Sequence, residues 1–309
     1  MNAMSRRHPG AVSLYVGCVL LPVIWGMNPV TAGIALASGV ALLLLLEPSA
    51  GRKSLLFYLA AALLCGIVNP LFNHHGKTAL FFLNGNPVTR EAILYGLVMG
   101  MMIAAVMIWF RCFSAMMDTD RLLTLTALLS PRLSVVVSMT LRAVPMLRRQ
   151  AEKTREAQKG LGLIREENGL DRVQGALRVF DGLVTWGLEN GIVTADSMAA
   201  RGYGSGKRTR YRLYPWKKAD TRTALFSLGI LILTAASALA GWTRYIWYPE
   251  MISPGLTVRS AGTYLCYAAL CWTASWIEIA DRIRWKRLRR GIPEKPDPGR
   301  GTEEHGWKC

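Results

Sequence analysis

With 309 residues, 51% of them apolar, and a mean hydropathy of +0.24, the chain is too apolar for an ordinary soluble domain yet not apolar throughout. Its net charge of +17 lies outside the apolar runs, where positive-inside topology and anionic headgroups account for it, and the absence of any nucleic-acid-binding motif argues against nucleic acid as a partner. Six cysteines without a CxxC and four sparse histidines give no support to zinc, iron–sulfur or disulfide chemistry, so no metal or other cofactor is expected.

In chain order, Arg6 and Arg7 precede an apolar run over residues 11–26, and Asn28-Pro29 separates it from a second over 30–46. The first run alone would suit a secretory signal, but the second follows at once without a small-x-small cleavage site. Arg52 and Lys53 lead into a third run, 54–71. Residues 73–89 hold mostly turn formers, including Gly76, Asn84, Gly85 and Pro87. The adjacent His74 and His75 fall there, and a solvated loop pair is the simpler reading than a transition-metal site. A fourth run spans 92–110, with Met99, Met101, Met102 and Met107 as adaptable packing. After the insert come runs over 224–242 and 261–279, separated by Trp242, Tyr245, Trp247, Tyr248 and Pro249, an interfacial aromatic cluster. Each run is near the ~20 residues that span a bilayer. The fold class is therefore all-α: a polytopic membrane protein with about six transmembrane helices. Lys and Arg alternate between successive loops so as to place both termini in the cytoplasm.

The insert, 111–222, carries 20 Lys or Arg against 11 acids. Ser130-Pro131 is a helix start, since Ser can cap free N–H groups and Pro is tolerated at the first helical position. That helix carries Val135, Val136, Met139 and Val144, should kink at Pro145, and becomes charged before ending near Gly160 or Gly162. A second helix from about Asp171 has one apolar stripe, Leu177, Phe180, Val184, Leu188, Ile192, Ala195 and Ala199. It ends in Met198-Ala199-Ala200-Arg201-Gly202-Tyr203. Two alanines keep that end slim, Arg201 offers a planar fork suited to a carboxylate, and Gly202 can take the left-handed conformation that stops a helix. An ordinary helix end with a solvated arginine fits the spacing equally well.

Ala195-Asp196-Ser197-Met198-Ala199-Ala200-Arg201-Gly202-Tyr203 resembles the second Ala-Arg-Gly signature of the T component of energy-coupling factor (ECF) transporters, the family that includes the cobalt-transporter Q protein. Leu141-Arg142-Ala143-Val144-Pro145-Met146-Leu147 is similar to that family's Leu-Arg-Phe-Ile-Pro segment, and Ala157-Gln158 to the pair before its first signature. Where that first Ala-Arg-Gly belongs, this chain has Gly160-Leu161-Gly162; Lys159 is the candidate substitute for the missing arginine. The resemblance implies a coupling region over 111–222 between transmembrane helices over 1–110 and 223–281; the composition of 282–309 predicts a basic, disordered tail. It implies an ATPase interface of Ala199, Ala200, Arg201, Gly202, Lys159, Gly160 and Gly162, with Arg142 and Pro145 as a structural hinge. The implied partners are two ABC ATPase subunits, a membrane-embedded substrate-binding (S) subunit and the lipid bilayer, in the cell membrane. The implied role is non-catalytic coupling for uptake of a vitamin or of Co or Ni ions.

Residues 202–208 do not make a phosphate loop. Arg201 stands where the first Gly is required, Arg208 where Ser or Thr must hold magnesium, and a helix precedes the loop where a strand is needed. Scarce intramembrane charge argues against a stand-alone ion-coupled carrier. The alternative is a six-span membrane enzyme or lipid-binding scaffold without ATPase partners.

Overall fold

A computed structural model describes residues 4–48, 50–73, 78–83, 86–163, 169–206, 214–247, 251–253, 255 and 257–290. The chain divides into two compact units, one from Met1–Asp118 with Trp216–Cys309 and the other Thr119–Pro215. The first contains α1 (Pro9–Gly26), α2 (Pro29–Leu46), α3 (Ala50–Phe72), a hairpin of β1 (Ala79–Leu83) and β2 (Asn86–Thr89), α4 (Arg90–Met116), α8 (Lys218–Leu239) and α9 (Val258–Arg290). The second contains α5 (Thr119–Leu129), α6 (Pro131–Gly160) and α7 (Gly169–Ala200). The protein is an all-α membrane protein. Among the described residues, α1, α2, α4 and α8 are long and apolar enough to cross a membrane. The other two of the six expected spans are helices as well, but the apolar part of α3 is the shorter Ser54–Pro70, and α9 carries Arg259, Thr263, Thr273, Ser275 and Glu278.

Local signals start the helices. The imidazole of His8 accepts the Gly10 N–H (3.1 Å), Asn28 accepts that of Val30 (2.9 Å) and Thr89 that of Ala92 (3.3 Å). Pro9 and Pro29 follow two of these caps, at a position whose N–H has no intrahelical partner. Met27, in the left-handed conformation at φ 38°, completes the tight turn from α1 into α2.

Inside the first unit, Trp109, Tyr15, Tyr267, Leu42, Leu43, Ile108 and Leu270 are fully buried in one apolar cluster. Its polar atoms are spent across helices: Tyr15 donates to the Leu270 carbonyl (2.9 Å), Tyr267 to Val19 (2.8 Å) and Trp109 to Ala35 (2.9 Å). Bonds of this kind replace the apolar drive that is missing between helices in lipid. Close approach does the rest. A Cβ on Gly100 would lie 2.3 Å from the Ala62 carbonyl oxygen, and one on Gly96 2.8 Å from that of Gly66, so α3 and α4 meet backbone to backbone.

The two ends of this bundle differ. At one, Arg6 pairs with Asp281 (3.3 Å), Arg111 with Glu47 (2.8 Å) and Arg282 with Glu278 (3.7 Å), while Arg7 donates to the Ala219 carbonyl (3.1 Å). At the other, Trp247 donates to the Met27 carbonyl (3.2 Å), stacks on Tyr245 and meets Tyr95 edge-on.

Three expectations are corrected. Residues 73–89 are not turns alone: β1 and β2 pair antiparallel, Leu83 opposite Asn86, as an apolar run followed by Asn84-Gly85 favours. Residues 282–290 do not begin a disordered tail but continue α9. Arginine and lysine are good helix formers that complement a helix C-terminus, and Arg282 is tied to Glu278 and to the Leu45 carbonyl. α4 continues past Arg111 to Met116, and α8 starts at Lys218, so the insert between these helices is shorter than 111–222. His74, His75 and residues 291–309 lie outside the described residues.

Candidate functional site

The sequence-predicted residues fall on α6 and α7. Within the second unit these helices pack antiparallel: a Cβ on Gly182 would meet Thr154 (3.6 Å), and one on Gly187 would meet Leu147 (3.8 Å). α6 is helical through Pro145, which has no N–H to give the Leu141 carbonyl. Arg142 and Pro145 are both exposed on it.

Both helices end in the same way. In α6, Leu161 is the cap and Gly162 takes φ +68°; Gly162 N–H bonds to Lys159 C=O (3.0 Å) and Leu163 N–H to Gln158 C=O (3.0 Å). In α7, Gly202 takes φ +79°, Gly202 N–H bonds to Ala199 C=O (2.9 Å) and Tyr203 N–H to Met198 C=O (3.0 Å). These paired bonds define the Schellman motif, which needs a residue at ease in the left-handed region. The superposable positions are therefore Gly160-Leu161-Gly162 and Ala200-Arg201-Gly202. Leu161, 74% exposed, stands where the second end has Arg201. Lys159 stands where the second end has Ala199, two residues earlier and about 200° around the axis.

The ends are far apart. The Leu163 carbonyl accepts from Arg178 (2.7 Å), which pins the end of α6 against the first third of α7. From Arg178 to its end at Ala200, α7 rises about 33 Å. Between them the apolar stripe is uncovered: Leu177, Phe180, Leu188 and Ile192 are 60–66% exposed. The sequence revealed the stripe but not its exposure, which depends on where α6 crosses.

The described residues contain no cluster of His, Cys, Asp or Glu suited to a metal ion. Gly202, Tyr203, Gly204, Ser205 and Gly206 form a turn, while Lys207 and Arg208 lie outside the described residues.

No protein-family model matches the chain. It is similar to the energy-coupling factor transporter transmembrane protein EcfT of Listeria innocua serovar 6a, 35% identical over 114 residues, 36% of this chain and 41% of that protein. The EcfT protein of Lactobacillus helveticus is 35% identical over 103 residues, 33% of this chain and 36% of its own length. That of Streptococcus equi subsp. equi is 26% identical over 262 residues, 76% of this chain and 93% of its own length. The chain thus spans about two fifths of the first relatives it matches, and nearly all of the last. It is a sequence relative of the energy-coupling factor transporter transmembrane proteins.

Proposed function

We propose that this chain is the transmembrane coupling subunit of an ECF-type ABC importer, carrying conformational change from two cytoplasmic ATPase subunits to a separate membrane-embedded substrate-binding subunit. The observation that carries this reading is the pair of identically capped, exposed helix ends about 33 Å apart on one helical hairpin. Two such ends suit two ATPase subunits, one at each.

The contacts are unequal. At the α7 end, Ala199 and Ala200 fit a groove and Arg201 pairs with a carboxylate of the ATPase, with Gly202 setting the direction of the chain. At the α6 end, Gly160, Leu161 and Gly162 offer an apolar tip, and Lys159 supplies a charge from a different side of the helix. ATP-driven closure moves the two ends, and the uncovered stripe of α7 passes that motion to the substrate-binding subunit. Arg142 and Pro145 shape the lever. The chain itself is non-catalytic and sits in the cell membrane with both termini cytoplasmic, on the side of the paired arginines. The cargo is a vitamin or a Co or Ni ion, selected by the substrate-binding subunit.

Affinity purification in mild detergent with nucleotide present tests this. The wild-type chain is expected to bring down ABC ATPase subunits and Arg201→Ala to lose them at least tenfold, the cost of one charge-assisted contact. Lys159→Ala is expected to do less. Equal ATPase recovery and transport in Arg201→Ala would overturn the role of Arg201; recovery of the wild-type chain alone would overturn the coupling reading.

A further inference from the structure

A cavity of about 620 Å³ opens in the first unit among α1, α8 and α9, within the ~300–1,000 Å³ typical of small-molecule sites. Along α8 it extends from Leu231 to Leu239, about 12 Å of helix. Its walls are mostly apolar, among them Leu21, Pro22 and Trp25 of α1 and Leu231 and Ile232 of α8, interrupted by Thr234 and Ser237. Toward the aromatic end of the bundle the lining turns polar and ends at Arg244.

At that polar end both amide hydrogens of Asn28 are used: its amide nitrogen donates to the Thr243 carbonyl (3.0 Å) and to the Tyr264 hydroxyl (2.7 Å), while its amide oxygen accepts from Val30 (2.9 Å). Tyr264 lines the cavity at 9% exposure, and its own O–H has no acceptor among the described residues. A buried donor left unmade is costly. The Asn28 bridge also places this phenol one residue from Arg244, whose exposed guanidinium stands at the mouth. Nearby, Arg259 lies 5.1 Å from the Trp242 ring, and Tyr245 stacks on Trp247, a composition typical of the headgroup level.

The cavity thus combines mostly apolar walls with a buried neutral donor and a cation at one end. An apolar solute would leave Tyr264 and Arg244 unused, a soluble anion would leave the apolar walls empty, and two turns of helix are too short a groove for a protein segment. We propose that it holds one anionic phospholipid. An acyl chain lies between α1 and α8, a glycerol-ester carbonyl accepts from the Tyr264 hydroxyl, and the phosphate rests on Arg244 through charge-assisted hydrogen bonds. This site stands apart from the coupling role and holds whether or not that reading does.

Native mass spectrometry of the full chain tests it, after delipidating detergent exchange and titration with phosphatidylglycerol or phosphatidylcholine of equal chain length. One phosphatidylglycerol is expected to bind in preference to phosphatidylcholine. Arg244→Gln should weaken it about tenfold and erase the preference, Arg244→Lys should keep the preference, and Ala235→Trp should plug the cavity and remove the lipid. Equal binding of both lipids by the wild-type chain, an unchanged preference in Arg244→Gln, or retention of only detergent or fatty acid would overturn the proposal. Arg244 is exposed, so its variants decide the matter even if Ala235→Trp does not fold.

Discussion

The two units treat apolar side chains in opposite ways. In the first, Tyr15, Trp109 and Tyr267 are wholly buried and each spends its polar atom on the backbone of a neighbouring helix. In the second, α7 has a longer apolar stripe than it can cover with α6, and Leu177, Phe180, Leu188 and Ile192 stay exposed. The first unit has a buried core, apart from the cavity among α1, α8 and α9 and its lipid-facing surface. The second carries the uncovered area expected of an interaction surface rather than a core.

The comparison breaks most severely at Gly100, where any side chain meets the Ala62 backbone. Gly100→Leu is expected to cost at least about 3 kcal/mol, the upper end of overpacking penalties, read as lost thermal stability in detergent; a variant as stable as wild type would show that α3 and α4 do not touch there. Tyr15→Phe removes one interhelical bond and should cost about 0.6–2 kcal/mol on the same assay. Phe180→Ser, on the exposed stripe, should change the stability of the isolated chain by less than about 0.5 kcal/mol while reducing recovery of partner subunits. A large stability loss would mean that the stripe is core after all.

The smallest effect is in pH. Burial pulls the His8 imidazole below its ordinary 6.5, against the opposing pull of Asp220, and the neutral ring is the one that accepts the Gly10 N–H. Because the folded state holds this proton less tightly than the unfolded chain, the contribution is fully present above pH 6.5. It is lost as pH falls through the lowered folded value. Melting between about pH 5 and 8 should show that decline, and His8→Asn, which keeps a capping oxygen but does not titrate, should flatten it.

Much was legible in the chain. Asn28-Pro29 and Ser130-Pro131 marked two helix starts, although Ser130 makes no side-chain capping bond, and Gly202 marked a helix end, because such signals lie within a few positions. The hairpin was missed even though Asn84-Gly85 followed an apolar run, since Gly, Asn and Pro crowd that stretch and outweighed its strand formers. Gly96 and Gly100 were missed too. Their four-residue spacing is visible, but close approach depends on which helix arrives opposite, and Ala62 and Gly66 are thirty-odd positions away. The basic cluster after Asp281 read as tail because charge was taken as a boundary, yet arginine is content in a helix that has left the apolar layer.

By itself the sequence determined the apolar spans, the basic insert and the glycine-stopped helix ends, all set by local spacing and backbone chemistry. Only the tertiary structure decided that Leu161 and Arg201 occupy equivalent caps, that those caps lie about 33 Å apart, and that Tyr264 keeps a buried donor beside Arg244. These are relations between residues distant in the chain. They exist only once helices have chosen their neighbours, a choice made by packing shape and cross-helix hydrogen bonds rather than by any short run of residues.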